Sequence, residues 1–448
     1  MAMTLTEMGL DGRVVDLMAR DRVPGLTIGI LDGGETSFAA YGVTNLETGM
    51  PVVPETVMQI GSISKVFLGT LVMGLVEEGR LDLDRPIVEL LPGFQLADDA
   101  ATQVITIRHC LTHMTGFEGD RFDDHGRGDD ALARCVDGYA TLAQQLPPAT
   151  TFSYCNTGFN LVGRVVEVLL GQPYEQSMRE RVFAPLGLTR ATFFADEAIL
   201  QHNAAGHLTP PDGEDAIARP WPLARNANPA GGIITDVAEL LRFAAAHLGL
   251  IDVPAPFPSM PTRLAMRERQ VGITATTGRG LTWSLEQRAD EPVFGHGGAT
   301  NGFKASLLLL PERGFAIAML TNGENGVYTE RDVERAILSE RFGIEDTDPE
   351  PIALAPGVAG TVAGYYHAML AELTIAGDDG LTVTTVGINP FTHERGTALT
   401  APIAPVGDDT FIVSEGVRKG TTLQFLPDAD GRLTMLRAGG RVALRVDA

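Results

Sequence analysis

Residues 66–76 read Val-Phe-Leu-Gly-Thr-Leu-Val-Met-Gly-Leu-Val. A helix made of this run has no polar face to turn to water, so it has to be enclosed inside a domain. The run is too short for a membrane span, and it carries glycines. Any fold open to this chain must therefore build walls around that helix.

Immediately before it stands Ser62-Ile63-Ser64-Lys65. The chain holds three lysines, and Lys65 is the only one in the first 300 residues. Positive charge elsewhere is carried by arginine, which keeps its proton in proteins, whereas a desolvated lysine can give its proton up. The spacing Ser-x-x-Lys puts both side chains on one helix face, one turn apart, where an amine can take the proton of a hydroxyl. A serine three residues before a lysine is a common accident in a long chain. The enclosed helix sets this pair apart, because a lysine at its start either loses pKa or finds partners, and both outcomes are typical of active sites. Gly61 lets other backbone approach closely, and free amides at a helix start favour a developing anion.

The formal charge is −23, from 34 basic and 57 acidic residues, with no basic run. Nucleic acid and anionic membrane surfaces are poor partners for such a surface. The 448 residues allow two or three domains, and 44% hydrophobic residues provide for a sizeable core. The first eight residues have neither a positive region nor a continuous apolar stretch, so they do not read as a signal peptide. Cys110, Cys135 and Cys155 cannot all pair and lack metal-ligand spacing; they read as reduced and structural, which with the missing leader suggests the cytoplasm. His109 and His113 have the i, i+4 spacing of a helical metal pair, but no third ligand is evident, and surface or capping roles are expected.

Leu26-Thr27-Ile28-Gly29-Ile30-Leu31 and Ser37-Phe38-Ala39-Ala40-Tyr41, separated by Asp32-Gly33-Gly34, predict a β-hairpin. A weak helix is expected before it, over about 10–20. From about 85 to 280 helical patterns and loops dominate, with helices predicted over 158–170 and 237–248. Strands return at 281–285, 304–310 and 315–320, and a helix is predicted over 329–341. Strands at both ends with helices between suggest one antiparallel sheet closed by the two ends, with a helical insertion. The acidic, proline-bearing stretch Glu345-Asp346-Thr347-Asp348-Pro349-Glu350-Pro351 reads as a linker, 345–357, between domains 1–344 and 358–448. Past it, short β runs at 372–375, 381–384, 410–413, 422–425, 433–436 and 442–444 alternate with Gly and Asp turns, predicting a small all-β barrel.

Two further segments bear on Ser62 and Lys65. Phe152-Ser153-Tyr154-Cys155-Asn156 places a Tyr-x-Asn just before a helix, and Gly295-His296-Gly297-Gly298-Ala299 lies between late β runs, where glycines admit a substrate to the backbone. Each is weak by itself; their conjunction, in this order, is strong. Serine is a poor nucleophile at its free pKa, so Lys65, or a Tyr154 phenolate stabilised by Lys65, would have to deprotonate Ser62 as it attacks a carbonyl. A cysteine nucleophile at Cys155 is a remote alternative.

With these motifs, with Ile105-Thr106-Ile107-Arg108-His109-Cys110-Leu111-Thr112-His113-Met114-Thr115-Gly116 and with Pro229-Ala230-Gly231-Gly232, the chain resembles over residues 10–340 the serine hydrolases of the class C β-lactamase fold. These include class C β-lactamases, D-Ala-D-Ala carboxypeptidases, family VIII carboxylesterases, D-aminopeptidases and penicillin-binding-protein-type thioesterases. The tail is similar to the lipocalin-like domain of some family peptidases and peptide cyclases. The resemblance implies an α+β fold of the β-lactamase/transpeptidase type followed by a lipocalin-like barrel. It further implies Ser62 as acylated nucleophile, Lys65 and Tyr154 as the proton-transfer pair, Asn156 on the acyl side of the substrate, and backbone amides of Ser62 and Ala299 as oxyanion donors. His296, with Gly297 and Gly298, stands where lactamases present a lysine, and matches the esterase and peptidase branch. The expected activity is hydrolysis of small esters or of peptides and amides, with no metal or organic cofactor. The alternative is a thioesterase-like cyclase that passes a peptidyl group to an amine. A true β-lactamase or a non-catalytic binder is less expected. The barrel is expected to shape the substrate entrance or a homo-oligomer contact without carrying chemistry.

Overall fold

A computed structural model describes residues 2–210, 213–378, 380–389, 393–416 and 418–446. The part up to residue 342 is organised by an antiparallel sheet of strands β1 (Gly25–Asp32), β2 (Glu35–Gly42), β3 (Val271–Gly272), β4 (Thr277–Arg279), β5 (Ser284–Arg288), β6 (Glu291–Thr300), β7 (Phe303–Leu310) and β8 (Phe315–Thr321). Their order across the sheet is β2-β1-β8-β7-β6-β5-β4-β3. The N-terminal hairpin thus docks on the last strand, from Leu26 opposite Thr321 to Asp32 opposite Phe315.

That central pairing follows from composition. Every residue of β8 is buried, and so is nearly all of β1. Such runs need cover on both faces of the sheet. Helices α1 (Asp11–Asp21) and α5 (Gly326–Phe342) cover one face, where Ile28, Ile30, Ile317 and Met319 join Val14, Val333 and Ile337. Small residues line the other: Ala316, Ala318 and Gly29, where a Cβ on Gly29 would come within 2.9 Å of Leu241. Helix α4 (Val237–Leu248) can therefore lie close.

Beneath α4 runs α2 (Ser64–Glu77), the apolar helix of the sequence, with Ser64 to Leu75 all buried. Phe67 stacks on Phe243 of α4 at 3.9 Å between centroids and meets Phe183 edge-on. Helix α3 (Asn156–Leu170) joins the same core. The sequence expectation of one sheet closed by both chain ends, with helices inserted, is what the fold shows.

Two local readings differ. The strand expected at 281–285 starts only at Ser284, because Trp283 is buried against Phe243, His247 and Phe294, and Thr282 has a φ of +71°. The glycine-rich stretch around His296 is strand: β7 supplies a complete ladder from Phe294 opposite Leu309 to Thr300 opposite Phe303.

After α5 the acidic stretch folds back. Asp346 and Asp348 accept from Arg335 at 3.2 and 2.8 Å, and Ser339 donates to Glu345. The tail then forms a closed barrel of β9 (Gly364–Ala368), β10 (Ala371–Ala376), β11 (Leu381–Gly387), β12 (Leu399–Pro405), β13 (Thr410–Val413), β14 (Thr422–Pro427), β15 (Leu433–Ala438) and β16 (Arg441–Val446). The sequence reading missed β9 and β12; the second carries two prolines, which sequence pattern counts against a strand. Closure comes from β16 pairing with β9, Tyr366 opposite Arg445. Among the described residues no helix is long and apolar enough to cross a membrane.

Because α2 is enclosed, truncating its stacked ring should be costly: Phe67→Ala is expected to destabilise the protein by about 3–5 kcal/mol, read as a lower denaturant midpoint, whereas Val15→Ala on the exposed face of α1 should leave that midpoint nearly unchanged.

Candidate active site

A tight 3₁₀ turn, Gly61–Ile63, delivers Ser62 half-buried at the foot of α2, two residues ahead of the helix proper. Gly61 has a φ of +51°, and a Cβ there would lie 2.5 Å from the Ala299 nitrogen; one on Gly298 would lie 1.9 Å from the Ile60 carbonyl. The turn and β6 can touch only because both positions lack side chains. The β5 ladder ends at Gly295, so past it β6 has a strand partner only on the β7 side, and Gly297 and Ala299 are exposed beside Ser62.

Lys65 is completely buried, and its Nζ donates to Ser62 Oγ at 3.0 Å, Asn156 Oδ1 at 2.6 Å and the Ala230 carbonyl at 2.6 Å. Burial pushes its pKa below that of an ordinary lysine; Tyr154 and Asp120 oppose the drop, and Arg441 adds to it. In the neutral form two N–H groups serve the two carbonyl-type oxygens, and the lone pair is left for the Ser62 hydroxyl. That is the geometry of a general base.

Tyr154 sits between these groups and two neutral histidines. Lys65 Nζ is 5.0 Å from its ring centroid, His113 stacks on it at 4.2 Å, and His296 is centred 6.3 Å away. Its hydroxyl is buried with no hydrogen-bond partner among the described residues, as are His296 Nε2 and His113 Nε2. Buried polar atoms are normally satisfied, so these three, on Tyr154 and the two rings packed against it, are open to a bond from water or a ligand. Burial, with help from Arg279 and Lys65, holds the His296 pKa down at about 3. A neutral imidazole at this position could donate one hydrogen bond to substrate or to Tyr154. Instead His296 Nδ1 faces the Gly297 carbonyl at 2.6 Å; a carbonyl only accepts, so the ring proton is spent there and Nε2 is left an acceptor.

The other expectations about histidine and cysteine resolve as structural roles. His109 closes a capping box with Thr106 on the short helix Ile107–Leu111. His113 accepts the Cys155 N–H at 2.9 Å. The three cysteines are free and buried, and burial raises the Cys155 thiol to about 11, too high to supply a thiolate.

Three groups at the site carry no legible motif. Asn156 Nδ2 donates to Asp120 at 2.6 Å, and Asp120 is gripped by Arg441 of β16 through two bonds of 2.5 and 2.9 Å. Arg441 also lies 5.0 Å from the Tyr154 centroid. The barrel adds two backbone ties, Tyr154 N–H to the Gly440 carbonyl at 2.9 Å and Val442 N–H to Ser153 Oγ at 3.1 Å. The tail therefore does more than frame an entrance: it completes a chain Arg441–Asp120–Asn156–Lys65. Arg279 of β4 is the third such group; it stands over Phe152, and its charge depresses both histidines.

The Beta-lactamase family profile matches residues 10–340. Penicillin-binding protein 4 of Amycolatopsis lactamdurans is 37% identical over 360 residues, covering 77% of this chain and 94% of its own. The unguisins hydrolase ungD' of Aspergillus campestris is 24% identical over 417 residues, 82% of this chain and 77% of its own. The solved structure of SurE superposes with a TM-score of 0.74 at 25% identity and covers 98% of both chains, so the likeness extends through the barrel.

Removing Arg441 strands a buried carboxylate. Arg441→Met should cost about 2 kcal/mol, a figure reduced because the guanidinium is partly exposed, and adding Asp120→Asn should restore most of it; additive losses in chemical denaturation would show the pair uncoupled. For His296 the unfolded pKa is about 6.5 and the folded value about 3. The unfolded chain therefore takes the proton first, and the associated stability, complete above pH 6.5, is lost as pH falls towards 3. His296→Gln should flatten the slope of stability against pH between 6.5 and 4.

Proposed function

Since the chain belongs to the beta-lactamase family of serine hydrolases, we propose that it cleaves small esters, or peptides and amides, through an acyl-enzyme on Ser62. The observation that carries this reading is the Lys65 amine, buried, lowered in pKa and 3.0 Å from Ser62 Oγ, with its other two bonds already taken.

In this reading Ser62 Oγ attacks the substrate carbonyl while its proton passes to the Lys65 amine. The amides of Ser62 and Ala299 receive the oxyanion, each contributing on the order of 3 kcal/mol; the glycines at 61 and 298 support this by letting β6 close on the turn. Tyr154, held by Lys65, Arg441 and the Gly440 carbonyl, passes a proton to the leaving group and later takes one from water. Asn156 orients the acyl side, and Gly297 and Gly298 leave the β6 edge open to the substrate backbone. His296 contributes an acceptor, so a leaving side that donates a hydrogen bond, such as an amide or amine, fits better than a carboxylate. The relatives named a penicillin-binding protein and a hydrolase are consistent with this chemistry.

Ser62→Ala should abolish p-nitrophenyl ester turnover and the acyl adduct seen by mass spectrometry without shifting the melting temperature; undiminished turnover would overturn the assignment. Lys65→Arg, which keeps charge but not a removable proton, should be nearly as damaging. Tyr154→Phe should lower kcat far more than it raises KM. Nitrocefin should be turned over poorly beside the best ester. Product analysis with a peptidyl thioester, separating free acid from an amine-capped or cyclised product, identifies the acyl acceptor.

A further inference from the structure

The barrel encloses a cavity of about 720 Å³ that the mechanism leaves unused. Its walls are largely apolar, Leu373, Val383 and Leu423 among them, and it stays open because Ala371, Ala401 and Ala443 stand where larger side chains would fill it. Eight strands make an interior that side chains can either plug or leave as room for one small ligand; here Tyr366, Phe411 and Phe425 pack part of it and the remainder is left open.

Topology says where the cavity opens. In an up-and-down barrel the connections β9–β10, β11–β12, β13–β14 and β15–β16 share one end. The cavity is lined by Leu370, Gly416 and Gly439 of three of these connections and by Gly387, the strand residue from which the fourth departs. This end is also the one seated on the catalytic domain. The β13–β14 connection is held where Arg331 of α5 donates to the Lys419 carbonyl, and Tyr328 of α5 lines the cavity itself. The β15–β16 connection is held where Gly440 receives the Tyr154 N–H. Arg441 belongs to both places, a wall of the cavity and the partner of Asp120. Arg441 and Lys65 each lie 5.0 Å from the Tyr154 centroid, so the cavity wall and the amine beside Ser62 have one ring as a shared neighbour.

We propose that the barrel interior is a subsite for an uncharged apolar acyl chain of the substrate, which passes from Ser62 beside Asn156 and Arg441 into the barrel mouth. The acyl side is the one that meets it, because Asp120 and Arg441 continue outward from Asn156. The charge of Arg441 is already matched by Asp120, so the chain needs no anionic head. This rests on the reading of Ser62 as nucleophile.

The test is a series of p-nitrophenyl alkanoates from acetate to decanoate, run on the full-length protein. The kcat/KM is expected to rise by roughly threefold per added methylene until the cavity is filled. Ala401→Trp and Ala371→Phe, each checked for folding by thermal melting, should cut the octanoate-to-acetate ratio of kcat/KM at least tenfold. A flat profile, or one that both folded variants leave unaltered, overturns the proposal. Binding of N-phenyl-1-naphthylamine, followed by fluorescence, separates the two readings. If no ester acylates Ser62, the nucleophile assignment fails, while probe binding that is kept in Ser62→Ala and lost in the filling variants still supports an apolar site in the barrel. Absence of probe binding in the unmodified protein counts against it.

Discussion

Lys65 is enclosed at the start of a helix that has no polar side, and the rest of the molecule answers to that placement. A charged amine without water is costly, and only partners of suitable geometry or loss of the proton relieve the cost. Here both operate: the Asn156 side chain and the Ala230 carbonyl hold the nitrogen, and burial favours the neutral amine. The sheet, α3 and α4 exist around α2 as the walls its apolar surface requires, and they carry those partners in. Asn156 opens α3, and Ala230 lies in the short helix Asn228–Gly231.

The second constraint is backbone proximity. The turn at Ser62 and the edge of β6 belong to segments more than 200 positions apart, yet Gly61 and Gly298 leave no space for a Cβ between them. Two amides can face one point only where two backbones meet this closely. Because the β5 ladder ends with Ser284 opposite Gly295, the rest of that edge of β6 is free, so one strand has structural pairing on one side and room for a substrate on the other.

Charge at the site is organised from outside the first domain. Arg441 arrives from the last barrel strand, and Asp120 converts its positive charge into a hydrogen-bond anchor for Asn156. Arg279 arrives from β4, a short strand one in from the sheet edge, and adds its charge to the burial that, with Lys65, keeps His296 neutral. The barrel and the part of the chain that carries the large sheet are thereby coupled through one buried carboxylate, and the acidic stretch after α5 adds ties from Arg335 to Asp346 and Asp348.

Much was readable along the chain. The unbroken apolar run at 66–76 required an enclosed helix. The Ser-x-x-Lys spacing put hydroxyl and amine one turn apart, and short apolar β runs at both ends of the first 344 residues implied a sheet closed by the two ends. These are local patterns, set by the helical turn and by short apolar runs between turn residues, and local patterns survive into any fold that satisfies them. Motif order likewise singled out Tyr154, Asn156 and His296, and the structure brings all three around Lys65. What tertiary structure alone decided is every feature whose partners are distant in sequence. The pairing of Asp120 with Arg441 spans 321 positions and has no pattern to announce it. The strand through His296 forms against the low β-propensity of its glycines because β7 provides the ladder, and the direction of the His296 proton depends on one neighbouring carbonyl. An ion pair or a ring tautomer is set by which atoms come within about 3 Å of each other, and that distance exists only after the chain has closed.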